Sequence, residues 1–118
     1  MITGVGVDII EIDRIQAAIV RFGDRFLNKI YTPFEIQSCS QRKKPRIPEL
    51  AARFAAKEAY SKAIGTGLRG IHFKDIEVRN DYRGKPYLVV AKQFPQSTEV
   101  SLTHGRNAAV AVVIVQGD

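Results

Sequence analysis

The segment from Pro48 to Gly65 constrains the fold of this chain more than any other feature of its sequence. It reads PELAARFAAKEAYSKAIG. Alanine favours helix, and proline and glycine mark the first turn and the end of a helix. At about 100° per residue, one broad side of this helix carries mostly small side chains: Ala51, Ala52, Ala55, Ala56, Ala59, Ala63, Tyr60 and Ile64. Because small side chains allow close approach, we expect this long helix to pack on a sheet.

The rest of the sequence predicts helices before this segment and strands after it. Residues 2–9 are predicted as a strand, and residues 11–22 as a helix because apolar side chains recur at a spacing of three to four. Thr32-Pro33-Phe34-Glu35 has the pattern of a capping box at a helix start. Alternating or apolar runs predict further strands at 73–79, 86–90, 98–103 and 108–115. The expected fold is α+β, in which a long helix packs on an antiparallel sheet, with a helical N-terminal half and a single domain over residues 1–118.

The net charge of +6 comes from 18 Lys and Arg against 12 Asp and Glu, and it is unevenly distributed. From Arg14 to Lys62 there are 11 basic and 4 acidic residues, a balance of +7, which leaves −1 for the rest of the chain. A basic surface favours nucleic acid, membrane surfaces, phosphate-bearing ligands or acidic proteins as partners.

The single Cys39 excludes a disulfide scaffold and a CxxC zinc site. Since no signal peptide pattern or apolar run of about 20 residues is present, we expect a cytoplasmic protein without a membrane partner.

The polar side of the long helix has two interpretations. It holds Arg53, Lys57, Glu58, Ser61 and Lys62. Such a set is commonly a solvated face, on which Glu58 and Lys62 form a surface pair at the favourable i,i+4 spacing. The alternative is a site for a metal ion and phosphates, because carboxylate oxygen suits Mg²⁺ while ammonium and guanidinium groups suit phosphate oxygens.

Asp8 and a set of three arginines also allow two interpretations each. Asp8 ends an apolar strand, where it is either the N-cap of the next helix or, together with Glu58, a second carboxylate for Mg²⁺. Arg14, Arg21 and Arg25 would line one helical face if residues 11–26 were nearly continuous, either as a solvated face or as a dock for an acidic protein. A basic nucleic-acid-binding module without catalysis is the alternative function, although no aromatic RNA-binding motif supports it.

Several segments, taken in order, resemble one family. They are Val5-Gly6-Val7-Asp8 followed by Arg14, the run from Phe54 to Ala63 continuing to Gly65-Thr66-Gly67, Gly84-Lys85-Pro86, and Ser101-Leu102-Thr103-His104. Together they resemble the motifs of the holo-[acyl-carrier-protein] synthases, the small 4′-phosphopantetheinyl transferases, over nearly the whole chain. One departure is Gly105, where that family often has a polar residue.

The resemblance implies a Mg²⁺-dependent enzyme that moves the 4′-phosphopantetheine of coenzyme A to a serine of apo acyl carrier protein and releases 3′,5′-ADP. It implies that Asp8 and Glu58 hold the metal and that Lys62 contacts the phosphate under attack. Either Glu58 or a metal-bound water would accept the serine proton. These three residues, Asp8, Glu58 and Lys62, are the predicted catalytic set.

The resemblance also assigns substrate and partner contacts. Arg53 and His104 would bind the 3′-phosphate of coenzyme A. The other predicted coenzyme A contacts are Lys57, Ser61, Lys62, Gly65, Gly84 and Pro86. The arginines Arg14, Arg21 and Arg25 would face the acidic carrier protein, and the enzyme would be a homotrimer with active sites at subunit interfaces. The basic residues Arg42, Lys43, Lys44 and Arg46 are assigned to neither partner.

Overall fold

The alanine-rich segment forms the longest helix of the protein, as predicted, and a three-stranded sheet packs against it. The structure is a computed structural model, and it describes residues 1–65, 71–91 and 97–117. Its elements in chain order are β1 (Ile2–Glu11), α1 (Ile12–Phe22), α2 (Asp24–Ile30), α3 (Pro33–Ser38), β2 (Ser40–Gln41), β3 (Lys44–Pro45), α4 (Ile47–Ile64), a 3-10 turn (Phe73–Asp75), β4 (Ile76–Asn80), β5 (Pro86–Val90), β6 (Ser97–His104) and β7 (Ala108–Gln116). The α+β class and the helical N-terminal half are therefore confirmed.

The main sheet has the strand order β1-β7-β6 and is antiparallel throughout. Its register places Asp8 opposite Ala111 and His104 opposite Ala109, so both predicted site residues have neighbours on the central strand β7. Strands β4 and β5 pair only with each other among the described residues, so the strands predicted after the long helix lie in two antiparallel sheets. β2 and β3 form a two-residue hairpin.

The sheet lies very close to α4 because both surfaces carry small residues. Gly4 and Gly6 of β1 face the helix, and a Cβ on either would overlap the backbone carbonyl of Ala63 or Ala59. Of the helix residues predicted to form the small face, Ile64 is partly buried, and the others are buried: Ala51, Ala52, Ala55, Ala56, Ala59, Tyr60 and Ala63. Burial of apolar surface is the main favourable contribution to folding, so this contact is the core of the protein.

Local signals set several element ends. The Thr32 hydroxyl accepts from Glu35 N at 3.2 Å and the Glu35 carboxylate accepts from Thr32 N at 3.0 Å, which confirms the capping box. Gly65 ends α4 in the left-handed conformation, at φ 79°, where glycine has no steric penalty. Thr66 and Gly67, which follow Gly65 in the motif named above, lie outside the described residues. Across residues 1–65, 71–91 and 97–117, no helix combines the length and apolar character needed to span a bilayer.

One predicted strand begins later than expected. Residues 73–75 form a 3-10 turn, and the strand starts at Ile76. The cause is local, since the Asp75 side chain accepts a hydrogen bond from His72 N at 2.9 Å and Asp75 N donates to His72 O at 2.9 Å. A short polar side chain that bonds to nearby backbone competes with strand pairing.

Candidate functional site

A cleft of about 350 Å³ opens between α4, the β4–β5 turn and the end of β6. Four residues predicted to bind coenzyme A line it, although they come from separate segments of the chain: Arg53, Gly84, Pro86 and His104. The remaining lining residues are Glu49, Ala52, Asn80, Leu102 and Thr103. We call this the α4 cleft. The fold therefore brings together a guanidinium, an imidazole and a glycine turn, a set of hydrogen-bond donors suited to an anionic ligand.

Arg53 is held at one wall of the cleft by two hydrogen bonds. Its guanidinium donates to Glu49 O at 3.1 Å and to Asn80 Oδ1 at 3.2 Å. Its Nε is buried and has no hydrogen-bond partner within the described part of the chain. Because two contacts orient the planar guanidinium, Arg53 is preorganised to meet an anion with little loss of side-chain freedom.

Glu49 contacts two nitrogen-bearing side chains beside the cleft. Its Oε1 lies 3.3 Å from His104 Nε2 and 3.3 Å from an Arg46 guanidinium nitrogen. Sequence reasoning missed both Glu49 and Asn80. The position of Glu49 one helical turn before Arg53 could have indicated that they share a face, whereas no sequence signal singles out Asn80.

A second group of residues, Asp8, Glu58 and Lys62, lies where β1 crosses α4. We call it the carboxylate cluster. The Lys62 Nζ donates to Asp8 Oδ1 at 3.1 Å and to Val7 O at 3.1 Å. Lys62 therefore pairs with Asp8 across the helix–strand contact, which is not the helical surface pair with Glu58 that spacing alone favours.

The electrostatics of this cluster suit a cation. Burial first and the Asp8 charge second raise the pKa of Glu58, and Lys62 opposes the shift. The two carboxylates therefore repel each other, and a bound cation would relieve that repulsion. No group of three or more potential ligands occurs among the described residues. Asp8 and Glu58 supply two carboxylates, a number that Mg²⁺ commonly takes from a protein before water and phosphate complete its shell.

The alternative role of Asp8 as a helix N-cap is wrong. Asp8 lies within β1, and the N-cap of α1 is Glu11, whose side chain makes no capping bond. Its carboxylate is only 16% exposed and is directed to Lys62. Asp8 is therefore free of a capping role and available to the carboxylate cluster.

The prediction that Lys57 contacts coenzyme A requires correction. Its ammonium is fully buried, 2.6 Å from Glu35 Oε1 and 2.7 Å from Ile30 O. Burial lowers the pKa of Lys57, and the Glu35 charge opposes that shift. Ser61 needs a similar correction, because its hydroxyl is buried and donates to Glu58 O at 2.7 Å. These two side chains are committed to protein atoms because other elements cover α4 at Lys57 and Ser61, whereas Lys62 on the same side of the helix is exposed.

The three arginines predicted to dock a carrier protein are exposed but do not share one continuous helix. Gly23, at φ 57° and ψ −132°, separates α1 from α2. Arg14 and Arg21 lie on α1, where the Arg21 guanidinium stacks 5.1 Å from the centre of the Phe22 ring. Arg25 lies on α2 and lines a hollow of about 230 Å³ with Phe22, Phe26 and Lys29. The result is a cationic and aromatic surface across two helices.

Comparison with known proteins gives the family. The family model described as the 4′-phosphopantetheinyl transferase superfamily matches residues 4–113. The chain is 45% identical to the holo-[acyl-carrier-protein] synthase of Halothermothrix orenii, with 97% of each chain covered.

Solved structures agree over the whole fold. The holo-(acyl-carrier-protein) synthase of Bacillus anthracis, in complex with CoA (3′,5′-ADP), superposes with a TM-score of 0.88 at 42% identity, covering 100% of this chain and 99% of that one. The Helicobacter pylori holo-[acyl-carrier-protein] synthase in complex with coenzyme A gives a TM-score of 0.86 at 32% identity, covering 95% and 99%. With its α4 cleft, its carboxylate cluster and this full-length similarity, the chain belongs to the 4′-phosphopantetheinyl transferase superfamily, among the holo-[acyl-carrier-protein] synthases.

Proposed function

We propose that this protein transfers the 4′-phosphopantetheine group of coenzyme A to a serine hydroxyl of apo acyl carrier protein, releasing 3′,5′-ADP. The observation that carries the proposal is that α4 contributes to both sites. Arg53 of this helix lines the α4 cleft, and Glu58 and Lys62 belong to the carboxylate cluster. A guanidinium suits a single phosphate, and two carboxylates with a bound cation beside an ammonium suit a diphosphate, which are the two anionic groups of coenzyme A.

The α4 cleft would hold the nucleotide. Arg53 and His104 would bind the 3′-phosphate, and Gly84 and Pro86 would line the adenine side, since all four already line this cleft. Guanidinium and imidazolium groups suit a phosphate dianion. Gly65, at the end of α4, remains a predicted contact of coenzyme A.

The carboxylate cluster would perform the chemistry. Asp8 and Glu58 would hold Mg²⁺, which when bound would supply positive charge beside the diphosphate. Lys62 would neutralise the negative charge that develops on the phosphate under attack. A bond forms between the serine oxygen and the β-phosphorus, and the bond from that phosphorus to the bridging oxygen breaks. Either Glu58 or a water beside it would accept the serine proton.

The proposed assembly is a homotrimer with active sites at subunit interfaces. The support is an exposed apolar row on β1, formed by Val5, Val7 and Ile9, which are 60%, 56% and 67% exposed on the sheet face opposite α4. Exposed apolar patches commonly mark protein interfaces. Light scattering should give three times the 13.1 kDa monomer mass, and Val7→Lys should dissociate the assembly. A monomeric wild-type protein would contradict this part of the proposal.

The reaction itself is tested by mass spectrometry of apo acyl carrier protein after incubation with coenzyme A, Mg²⁺ and this protein. The carrier should gain the mass of phosphopantetheine, and EDTA or the variant Glu58→Gln should prevent the gain. An unmodified carrier under saturating substrate would refute the proposal.

The alternative of a nucleic-acid-binding module is disfavoured, because Asp8 and Glu58 would repel a phosphate backbone in the absence of a metal. The cytoplasmic location predicted from the sequence belongs to the same proposal.

A further inference from the structure

The Glu35–Lys57 pair lies in the core, away from the carboxylate cluster and the cleft lining. Both side chains are fully buried, and the ammonium contacts Glu35 Oε1 at 2.6 Å and Ile30 O at 2.7 Å. It also lies 5.4 Å from the centre of the Tyr31 ring. Replacing a buried ion pair by apolar side chains of similar volume is often neutral or stabilising. The contribution of the pair to folding stability therefore does not explain why two charges lie in the core. Its hydrogen bonds to separate elements offer a different explanation.

Glu35 binds donors on separate elements through its two oxygens. Oε1 accepts from Thr32 N at 3.0 Å as well as from Lys57, and Oε2 accepts from Val78 N at 2.9 Å. A carboxylate accepts at both oxygens, whereas an amide would present an NH₂ group to one of these donors. Glu35 therefore joins the start of α3, the middle of α4 and the strand β4 in one buried network.

This network connects the two walls of the α4 cleft. One wall is the β4–β5 hairpin, which among the described residues shares no strand pairing with the main sheet. Val78 lies two residues before Asn80, whose side chain accepts from Arg53 of the helical wall at 3.2 Å. Arg53 and Lys57 are one helical turn apart. The Arg53–Asn80 bond is exposed to water, so the buried Glu35 contacts to Val78 and Lys57 are the stronger constraint on the separation of the walls.

We propose that the Glu35–Lys57 pair positions the β4–β5 hairpin against α4, sets the width of the α4 cleft and thereby determines affinity for the 3′,5′-ADP part of coenzyme A. The inference rests on the proposed function, since it takes the nucleotide to bind in this cleft. Neither residue touches the substrate. Their role is to hold Arg53 and the Gly84 turn at the separation that the ligand requires. In an active site, a displacement of about 1 Å can reduce turnover about a hundredfold.

The test is calorimetric binding of 3′,5′-ADP to Glu35→Gln, Lys57→Met and the double variant, at a temperature where each is folded. The double variant removes both buried charges, so it should fold even if a single variant does not. Val113→Ala is the matched control, because Val113 is fully buried in β7 and its truncation destabilises the core away from the cleft. Amide hydrogen exchange of residues 76–90 is measured on the same variants without ligand, and it reports on the opening of the β4–β5 hairpin.

The expected result is a dissociation constant for 3′,5′-ADP raised about tenfold or more in each Glu35 or Lys57 variant, with a parallel rise in the KM for coenzyme A and an unchanged KM for the carrier protein. Exchange in β4 and β5 should accelerate while β7 remains protected. Val113→Ala should bind 3′,5′-ADP like wild type. Wild-type affinity in the double variant, or equal weakening in Val113→Ala, would overturn the positioning role. Failure of the wild type itself to bind 3′,5′-ADP would instead refute the proposed function, and the inference with it.

Discussion

Replacing Gly6 by alanine should separate the main sheet from α4. A Cβ at Gly6 would lie 2.8 Å from Ala63 N and closer still to Ala59 O. Both contacts are to helix backbone, so no side-chain rotation can relieve them, and β1 or α4 must shift. Overpacking of this kind costs about 1–3 kcal/mol, and the backbone contact places Gly6→Ala near the upper value. For a chain of this length about 3 kcal/mol lowers the midpoint of thermal unfolding by about 12 °C.

The assay is thermal unfolding followed by circular dichroism, at equal protein concentration because assembly affects the midpoint. Gly105→Ala is the matched control. A Cβ at Gly105 would have no heavy atom within 4 Å, and its φ is not in the positive range, so its midpoint should change by about 2 °C or less. A midpoint for Gly6→Ala within the range of that control would show that the close approach of β1 to α4 does not limit residue size, and the packing argument would fail.

The remaining predictions concern the proposed reaction. Asp8→Asn and Glu58→Gln should each reduce transfer by about a hundredfold or more while leaving the circular dichroism spectrum unchanged, and near-normal turnover in either would remove the metal assignment. Reversing Arg14 and Arg21 to Glu should raise the KM for carrier protein about tenfold and leave that for coenzyme A unaltered, whereas equal changes in both would place these arginines at the nucleotide. Because burial and Asp8 raise the pKa of Glu58, its charged form is lost as pH falls through a value above that of an ordinary Glu. The rate of transfer should therefore decline as the pH is lowered through that value. A higher Mg²⁺ concentration should move this decline to lower pH. A decline that does not respond to Mg²⁺ would contradict metal binding by Glu58.

Local signals in the sequence were sufficient to predict most of the secondary structure. The capping box at Thr32 and the left-handed Gly65 at the end of α4 depend on contacts within one helical turn. The failure at residues 73–75 had a local cause too, a side-chain bond from His72 N to Asp75 that competes with strand pairing. The motif resemblance also selected Arg53, Gly84, Pro86 and His104, which the fold brings into one cleft.

The partners of charged side chains were decided by tertiary structure alone. Lys57 was predicted beside a phosphate, but it pairs in the core with Glu35, 22 residues away. Lys62 pairs with Asp8, 54 residues away, in place of its helical neighbour Glu58. A helical wheel gives the side of the helix on which each side chain lies. It does not show which other elements cover that side. Sequence determines propensity and caps because these act over a few residues, whereas burial and ion pairing depend on which distant segments pack together, and only the folded chain decides that.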